Sequence, residues 1–264
     1  MTPDPEELLS LARLVAGQAA ALLLGGLDQA RGSVGTKSSA TDMVTEMDRA
    51  SERLIVGELR RLRPHDGILA EEGAAEDGST GVRWVVDPLD GTTNYLYRLP
   101  PFAVSIAAEV EGMTQAAVVV DPAHGETFTA ARGRGAALND RPIRCGGADD
   151  LATALVGTGF AYDRERRADQ ARALVGVLPA VRDVRRHGAA AVDLCWVACG
   201  RLDGFFERGL QSWDIAAGLL VASEAGARTG DLAGGPPSTE FTLAAPPGLF
   251  DPLRALLTAA GAGG

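Results

Sequence analysis

The segment from Trp84 to Asn94 constrains the fold of this 264-residue chain more than any other. Its apolar run at 84–86 predicts a strand that delivers Asp87 at its end. Pro88 favours a turn over simple continuation of the strand. Asp90 follows three residues after Asp87, where a tight turn can aim both carboxylates at one point.

The residues after this aspartate pair favour a close turn and a helix start. Gly91 permits a close approach of the backbone, and Thr92 and Thr93 are typical of helix N-termini, where free amides face outward. Carboxylates supply the hard oxygen ligands of Mg²⁺, and helix amides bind phosphoryl oxygens. The segment therefore predicts a site for metal and phosphate. Taken alone, it equally fits a capped turn with solvated acids.

Further acidic residues stand where strands end or helices begin. Glu71 and Glu72 follow a short predicted strand at 68–70, and Asp214 opens a buried helical stretch. Asp42 and Asp48 flank Thr45 at the start of another predicted helix. Each acid alone could be a cap or a surface charge, but together they form clusters at positions where metal sites are often built.

Hydrophobic periodicity predicts an N-terminal α+β part, residues 1–147, and a C-terminal α/β part, residues 148–264. Asp4 and Pro5 predict the cap and first turn of the first helix. Helices are expected at 5–25, 45–62, 165–178, 189–199 and 215–225. Alternating runs predict an antiparallel sheet over 103–110, 116–120 and 126–131, and later strands are expected at 153–157, 181–185 and 204–207.

Composition narrows the classes of partner. The chain has 25 basic and 35 acidic residues, a net charge of −10, which disfavours broad nucleic-acid binding and an anionic-membrane footprint. The apolar stretches at 19–24 and 215–222 are shorter than a membrane span. The acidic N-terminus is unlike a signal peptide, and three cysteines suit a reducing compartment, so we expect a cytoplasmic protein. Cys195 and Cys199 share one helix face and are expected to be core thiols.

Several segments together resemble the inositol monophosphatase family of Mg²⁺-dependent, lithium-sensitive phosphatases. The matching segments lie at 42–48, 70–73, 84–94, 133–139, 188–207 and 213–218, in order and spacing. The resemblance covers nearly the whole chain and is strongest to bacterial inositol-1-monophosphatases. It implies an α/β (α+β) fold, a layered αβαβα sandwich of the sugar phosphatase type, and a homodimer.

The resemblance also implies a set of metal ligands for two to three Mg²⁺ ions. Glu71 and Asp87 match residues that bridge metal sites, and Asp90 and Asp214 match those that complete the second site. The backbone carbonyl of Leu89 matches a further ligand.

The same resemblance implies how a phosphate monoester is hydrolysed. Thr92 matches the residue that helps hold a metal-activated water, and Asp48 the group that orients and deprotonates it. Together with Glu71 they form the expected catalytic set. Metal ions lower the pKa of bound water and neutralise phosphoryl charge, so no Cys or Ser nucleophile is needed.

Substrate binding is expected at the loop that carries residues 90–92 and at a second loop, residues 188–190. By resemblance, Glu207 accepts hydrogen bonds from inositol hydroxyls, and Asp90 can accept one from a substrate hydroxyl while binding metal. The expected substrate-binding residues are Asp90, Gly91, Thr92, Gly188, Ala189, Ala190 and Glu207.

The chain departs from the family pattern at Ala189, where relatives usually carry Ser or Thr, so one hydroxyl near the ligand is absent. The neighbouring His187 could contact the ligand, but a structural role is favoured. Lys37 stands where the family has a basic loop residue near a third metal, and a solvated loop lysine fits equally. Arg185 and Arg186 could contact a partner or form an interface, and a solvated pair is the expected role.

The resemblance therefore implies hydrolysis of inositol 1-phosphate to myo-inositol and phosphate. Relatives that act on histidinol phosphate, fructose 1,6-bisphosphate or 3′-phosphoadenosine 5′-phosphate, and a broad polyol-phosphate phosphatase, provide alternatives within the same class. A regulatory scaffold is an alternative of another class, but it predicts lost ligands, and here the ligand residues are all present.

Overall fold

The computed structural model describes residues 3–29, 34–36 and 43–263. Within these residues lie seven α-helices, and those predicted from the sequence agree to within a few residues. The helices are α1 (Pro5–Gly26), α2 (Glu46–Leu62), α3 (Thr92–Tyr97), α4 (Arg164–Val177), α5 (Ala190–Ala198), α6 (Ser212–Glu224) and α7 (Pro247–Ala259). Asp42 and Lys37 lie outside the described residues.

Fifteen strands lie in the same described residues. The first ten are β1 (Val34–Thr36), β2 (Met43–Thr45), β3 (Gly67–Ala70), β4 (Ala75–Glu76), β5 (Val82–Asp90), β6 (Ala103–Val110), β7 (Met113–Asp121), β8 (Glu126–Ala131), β9 (Gly135–Leu138) and β10 (Arg141–Ile143). The others are β11 (Leu155–Thr158), β12 (Asp183–Arg185), β13 (Gly204–Glu207), β14 (Arg228–Gly230) and β15 (Thr242–Ala245).

The strands form two large sheets beside the β1–β2 pair. The larger sheet has the order β10-β9-β8-β7-β6-β5-β3-β4, and its one parallel pair is β3 with β5. The predicted antiparallel sheet over β6, β7 and β8 is confirmed. The smaller sheet has the order β12-β11-β13-β15-β14, with β11 parallel to both β12 and β13.

Side-chain alternation along β5 and β6 divides the core into layers. Trp84 and Val86 face α1 and α2, whereas Val85, between them, faces α5 and α6. α5 and α6 also contact the smaller sheet, whose other face packs against α4 and α7. The order helices, sheet, helices, sheet, helices confirms the predicted layered αβαβα sandwich. The predicted division at residue 147 falls between the sheets and stays a prediction.

Helix α1 shows how local signals define an element. The Asp4 side chain accepts a hydrogen bond from the amide of Glu6, which caps the helix as expected. α1 is the single helix within the described residues that is long and apolar enough to cross a membrane, which the short apolar stretches did not predict. One of its faces, including Ala12, Val15 and Leu23, is buried against the larger sheet, as in the core helix of a globular protein.

Two glycines provide a matched test of the packing between α5 and α6. A Cβ at Gly218 of α6 would lie 2.8 Å from Leu194 and 3.1 Å from the carbonyl oxygen of Ala191, so Gly218→Ala should destabilise by about 1–3 kcal/mol through overpacking. A Cβ at Gly17, exposed on α1, meets nothing within 4 Å. Gly17→Ala should therefore stabilise by about 0.5–1 kcal/mol, because it removes only glycine's entropy cost. Urea denaturation measures both changes. Equal changes in both variants would refute this account of the α5–α6 contact.

Candidate active site

A cavity of about 420 Å³ lies beside the carboxyl ends of strands from both sheets. Four predicted metal-ligating carboxylates line it: Glu71, Asp87, Asp90 and Asp214. The other predicted residues on its wall are Leu89, Gly91, Thr92, Gly188, Ala190 and Glu207. The sequence prediction thus identified residues that are far apart in the chain and meet at one cavity.

Parallel pairing brings the first two carboxylates together. β3 and β5 run side by side, with Ala70 opposite Val86, so the next residues, Glu71 and Asp87, emerge at the same edge. The turn after β3 is held by Glu52 of α2, whose carboxylate accepts hydrogen bonds from the amides of Glu72 and Ala74 at 2.7 and 3.3 Å.

A β-bulge in β5 brings Asp90 to the same side as Asp87. The expectation that the strand ends at Pro88 is wrong, because β5 continues to Asp90. Its register shifts so that Asp87 pairs with Ser105 and Asp90 with Ala103, three steps on β5 against two on β6. Since partners two apart share a face, the extra residue puts both carboxylates on one face of the sheet.

Asp90 also caps a helix from the other half of the chain. Its Oδ2 accepts a hydrogen bond of 2.8 Å from the amide of Ala191, in the first turn of α5. Ala189, the N-cap residue, has no side chain that can do this. The Ala189 side chain is buried in the core and an aspartate from the larger sheet supplies the cap, while both neighbours of Ala189 line the cavity. A role for Ala189 in substrate binding stays a prediction.

Thr92 begins α3, as predicted, and its hydroxyl connects the cavity to a buried acid. Gly91, at φ 86°, is the N-cap. The Thr92 Oγ1 donates to Asp48 Oδ1 at 2.8 Å and lies 3.2 Å from the carbonyl oxygen of Leu89. Asp48 is fully buried and off the cavity wall, so it can act on the cavity through Thr92.

Glu207 and Asp214 reach the cavity from the smaller sheet and the helix that follows it. Glu207 ends β13, and Asp214 lies in the first turn of α6, where its Oδ2 accepts from the amide of Gln211 at 2.6 Å. Gly159 follows the neighbouring parallel strand β11. A Cβ at Gly159 would collide with the Glu207 carboxylate, so the glycine provides the space that this carboxylate occupies.

The cavity is strongly electronegative at its carboxylate end. Burial first, and then the charges of Glu71, Asp90 and Asp214, raise the pKa of Asp87 well above its usual value. Burial and the Asp214 charge similarly raise the pKa of Asp90. Burial, with Asp193 and Asp214 nearby, raises that of Glu207. A bound cation would offset this repulsion and favour the ionised carboxylates.

The structure shows the positions of His187 and Arg186, the two residues just before Gly188. His187 is off the cavity wall: its Nδ1 lies 2.6 Å from Asp193 Oδ1 and its carbonyl accepts from Asn94, which supports the structural role. Arg185 pairs with Asp183 and is exposed, and Arg186 is exposed as well, as expected for solvated side chains. Arg186 also lines the cavity, which the sequence did not predict.

Sequence reasoning missed much of the cavity rim. The missed residues are Phe160, Ala161, Tyr162, Asp163, Arg166, Arg186, Arg208, Gly209, Leu210, Gln211 and Trp213. The segment at 208–213 joins two predicted site residues and could have been inferred from that position. The segment at 160–166 carries no comparable signal, because its place depends on the parallel pairing of β11 with β13.

Comparison with known proteins places the whole chain in one family. The model of the inositol monophosphatase family matches residues 4–260. The chain belongs to the inositol monophosphatase family. Among its relatives, the inositol-1-monophosphatase of Mycobacterium bovis is 46% identical, over 96% of this chain and 94% of its own length.

Two further members of the family, one of them a solved structure, are also similar to this chain. The Nus factor SuhB of Escherichia coli is 43% identical over 86% of each chain. The solved inositol monophosphatase from Anabaena (Nostoc) sp. PCC 7120 is 37% identical, over 96% of each chain, with a TM-score of 0.86. Membership in the inositol monophosphatase family confirms the resemblance and supports a phosphatase.

The carboxylate wall of this inositol monophosphatase family member fits Mg²⁺. Among the described residues, no group of three or more His, Cys, Asp or Glu side chains is placed to hold a metal ion on its own. Mg²⁺ rarely relies on protein ligands alone, since it keeps several waters and binds one or two carboxylates together with substrate phosphates. Carboxylate oxygens that face an open cavity suit this mode of Mg²⁺ binding. The carboxylates here line such a cavity, and the pKa of Asp87 among them is raised.

Proposed function

We propose that this chain is a Mg²⁺-dependent phosphatase that hydrolyses inositol 1-phosphate to myo-inositol and phosphate. The observation that carries the proposal is one cavity lined by the four predicted metal-ligating carboxylates and by Thr92, whose hydroxyl is hydrogen-bonded to the buried Asp48. The metal ligands would be Glu71, Asp87, Asp90, Asp214 and the carbonyl of Leu89. A homodimer remains a prediction from the resemblance, and a cytoplasmic location a prediction from the acidic N-terminus and the three cysteines.

The residues around the scissile phosphate have separable tasks. When bound, Mg²⁺ neutralises charge on the phosphoryl oxygens and lowers the pKa of the attacking water. Thr92 holds that water through its hydroxyl oxygen, and Asp48 accepts the hydrogen of Thr92, which fixes the direction of the hydroxyl. Gly91 and Thr92, at the N-terminus of α3, line the same cavity, and backbone amides there would be available to donate to phosphate oxygens.

The polyol end of the substrate would lie against the smaller sheet. Glu207 projects from the end of β13 into the cavity and can accept hydrogen bonds from ring hydroxyls. Gly188 and Ala190 border the same space, and Ala189, which lies between them, is buried.

Alternative substrates share the carboxylate wall and differ at the rim. Histidinol phosphate, fructose 1,6-bisphosphate and other polyol phosphates each present a phosphate monoester to the same metal ligands. A regulatory role, without catalysis, is the alternative function of another class, because some relatives are named Nus factor SuhB. The intact carboxylate set supports catalysis over that role.

The deciding experiment measures phosphate release with Mg²⁺ from inositol 1-phosphate, histidinol phosphate, fructose 1,6-bisphosphate and 3′-phosphoadenosine 5′-phosphate. We expect inositol 1-phosphate to have the highest kcat/KM among the monophosphates. If another monophosphate leads, the metal-dependent hydrolysis stands and the substrate assignment falls. Absence of hydrolysis with every substrate would overturn the proposal and favour the regulatory role.

Removal of the metal should abolish hydrolysis. EDTA is expected to lower activity by at least about a hundredfold, because metal ions supply several kcal/mol of charge stabilisation in the transition state. Added Mg²⁺ should restore activity, and Li⁺ should inhibit at saturating Mg²⁺. Full activity in EDTA, after dialysis against chelator, would contradict metal dependence.

Gly159→Ala tests the position of Glu207. The added methyl group displaces the Glu207 carboxylate, and we expect about a tenfold higher KM for inositol 1-phosphate from the loss of a hydrogen bond to a charged acceptor. Gly147→Ala is the matched control, since its Cβ meets nothing within 4 Å. Unchanged KM in Gly159→Ala would show that Glu207 does not bind the polyol.

A further inference from the structure

The buried face of α2 is polar in its first two turns and apolar in the turns that follow. Its polar part consists of Asp48, Ser51 and Glu52, and the buried positions from residue 55 onward are apolar. Residues spaced i, i+3 and i+4 lie on one side of a helix, so these three side chains share a face. A helix that only packs on a core keeps this face apolar, because buried polar groups cost free energy unless they are hydrogen-bonded. The polar part of α2 therefore needs partners, and it lies beside the candidate active site.

Ser51 contacts the bulge of β5 from the α2 side. Its Oγ donates a buried hydrogen bond of 2.8 Å to the carbonyl oxygen of Pro88. Pro88 lies between Asp87 and Asp90, where the register with β6 shifts and the regular ladder is interrupted. Buried backbone groups that leave a ladder need other partners, and the Ser51 hydroxyl supplies one for Pro88.

The peptide group after Pro88 carries this contact to a proposed metal ligand. Its carbonyl oxygen accepts from Ser51, and its N–H, which belongs to Leu89, donates to Asp87 Oδ1 at 2.9 Å. A peptide group is planar, so the two hydrogen bonds orient it and the Asp87 carboxylate together. Hydrogen bonds in a chain also polarise one another, so loss of the first weakens the second. Ser51 therefore acts on Asp87 through a single peptide group.

Glu52, the neighbour of Ser51, holds the other proposed bridging ligand in a similar way. Its carboxylate accepts from the amides of Glu72 and Ala74, in the turn that begins at Glu71. This turn and the bulge lie side by side, because β3 and β5 are adjacent and parallel. One turn of α2 thus supports both segments that carry proposed bridging ligands.

We propose that Ser51 and Glu52 are positioning residues for Mg²⁺, which fix the directions of Asp87 and Glu71 before the metal binds. Both act through backbone groups, and neither lines the cavity. Loss of a group that orients a metal ligand typically weakens metal binding by about 10–100-fold. A role confined to stability would instead leave the Mg²⁺ affinity unchanged. The inference rests on the proposed function for its metal site, and it is independent of which phosphate ester is hydrolysed.

Ser51→Ala tests the contact with the bulge. Titration calorimetry with Mg²⁺ alone should give a dissociation constant at least about tenfold higher than that of the parent protein. Ser10→Ala is the matched control, because it removes an exposed serine hydroxyl that donates to the carbonyl oxygen of Glu6 in α1. Its Mg²⁺ affinity should equal that of the parent. An unchanged dissociation constant in Ser51→Ala would overturn the positioning role of Ser51.

Glu52→Gln tests the contact with the turn and keeps the size of the side chain, so it provides a second variant if Ser51→Ala does not fold. Glutamine has one acceptor oxygen, so one of the two turn amides loses its partner. We again expect Mg²⁺ binding to weaken by at least about tenfold. Glu58→Gln is the control, since Glu58 pairs with Arg61 on the same helix and away from the cavity. If both glutamine variants bind Mg²⁺ equally well, Glu52 has no positioning role.

The Mg²⁺ dependence of phosphate release distinguishes positioning from loss of folded enzyme. In Ser51→Ala and Glu52→Gln, the Mg²⁺ concentration for half-maximal activity should rise by at least about tenfold. The kcat at saturating Mg²⁺ should stay within about twofold of the parent value, because the metal then restores the ligand geometry. A kcat lowered by the same factor at every Mg²⁺ concentration would contradict positioning.

Calorimetry also separates this inference from the proposed activity. If the parent protein binds Mg²⁺ but hydrolyses none of the tested phosphate esters, weaker Mg²⁺ binding by the two variants still supports the positioning role. A parent protein that binds no Mg²⁺ would overturn the inference.

Discussion

Asp90→Asn is expected to lower kcat by at least about a hundredfold, since one metal ligand and its charge are lost. The fold should not suffer. Asparagine has the same shape, and its side-chain oxygen can still accept the hydrogen bond from the amide of Ala191. The change also removes one of the charges that raise the pKa of Asp87, so the metal-free protein should be at least as stable as the parent.

Thermal unfolding with and without Mg²⁺ completes this test. Mg²⁺ should raise the Tm of the parent protein by mass action and raise that of Asp90→Asn less. Asn94→Asp is unsuitable as a control. The side-chain amide of Asn94 donates to the carbonyl oxygens of Pro101 and His187, and an aspartate would lose both hydrogen bonds. Asp149→Asn, an exposed acid outside the cavity, is suitable. A Tm in EDTA well below that of the parent would mean that Asp90 acts mainly through the fold.

Loss of either partner in the Thr92–Asp48 hydrogen bond is expected to reduce kcat by about 10²–10⁴, the range of positioned proton-transfer groups. Thr92→Val removes the hydroxyl and keeps the shape of the side chain. Asp48→Asn keeps a buried polar group but loses the charged acceptor at 2.8 Å from the Thr92 hydroxyl. KM should change little, because both groups act on the attacking water.

A double-mutant cycle decides whether the two residues act as one unit. The double variant should be no slower than the slower single variant, because each single change already disables the pair. Thr93→Val provides the control, as Thr93 is adjacent in sequence and absent from the cavity wall. Multiplicative losses in the double variant would show that Asp48 and Thr92 act independently.

Local patterns predicted the helices and the acids at strand ends because both depend on neighbours in the sequence. The bulge between Asp87 and Asp90 could not be predicted in this way. It depends on the register with Ser105 and Ala103 of β6, which is a pairing between distant segments. Pro88 is accommodated in the strand at this bulge, where the regular ladder is interrupted.

The same reasoning explains why one half of the cavity was predicted and the other was not. Glu71, Asp87 and Asp214 match family motifs, so resemblance located them without knowledge of the sheet. Arg166 and Arg186 belong to segments without such motifs and meet only because β12, β11 and β13 lie side by side. A correct order for the smaller sheet would have been needed to bring them to one rim.

The hydrogen bond from Ala191 to Asp90 has a mechanical consequence. It joins the larger sheet to a helix that also packs against the smaller sheet, at the residue proposed to hold the cation. A hinge motion that separates the two sheets would leave a buried aspartate without this donor and a helix amide without its acceptor. The position of α5 and the ionisation of Asp90 are therefore thermodynamically linked: the hydrogen bond from Ala191 favours the ionised carboxylate, whereas burial, the larger effect, raises its pKa and opposes ionisation.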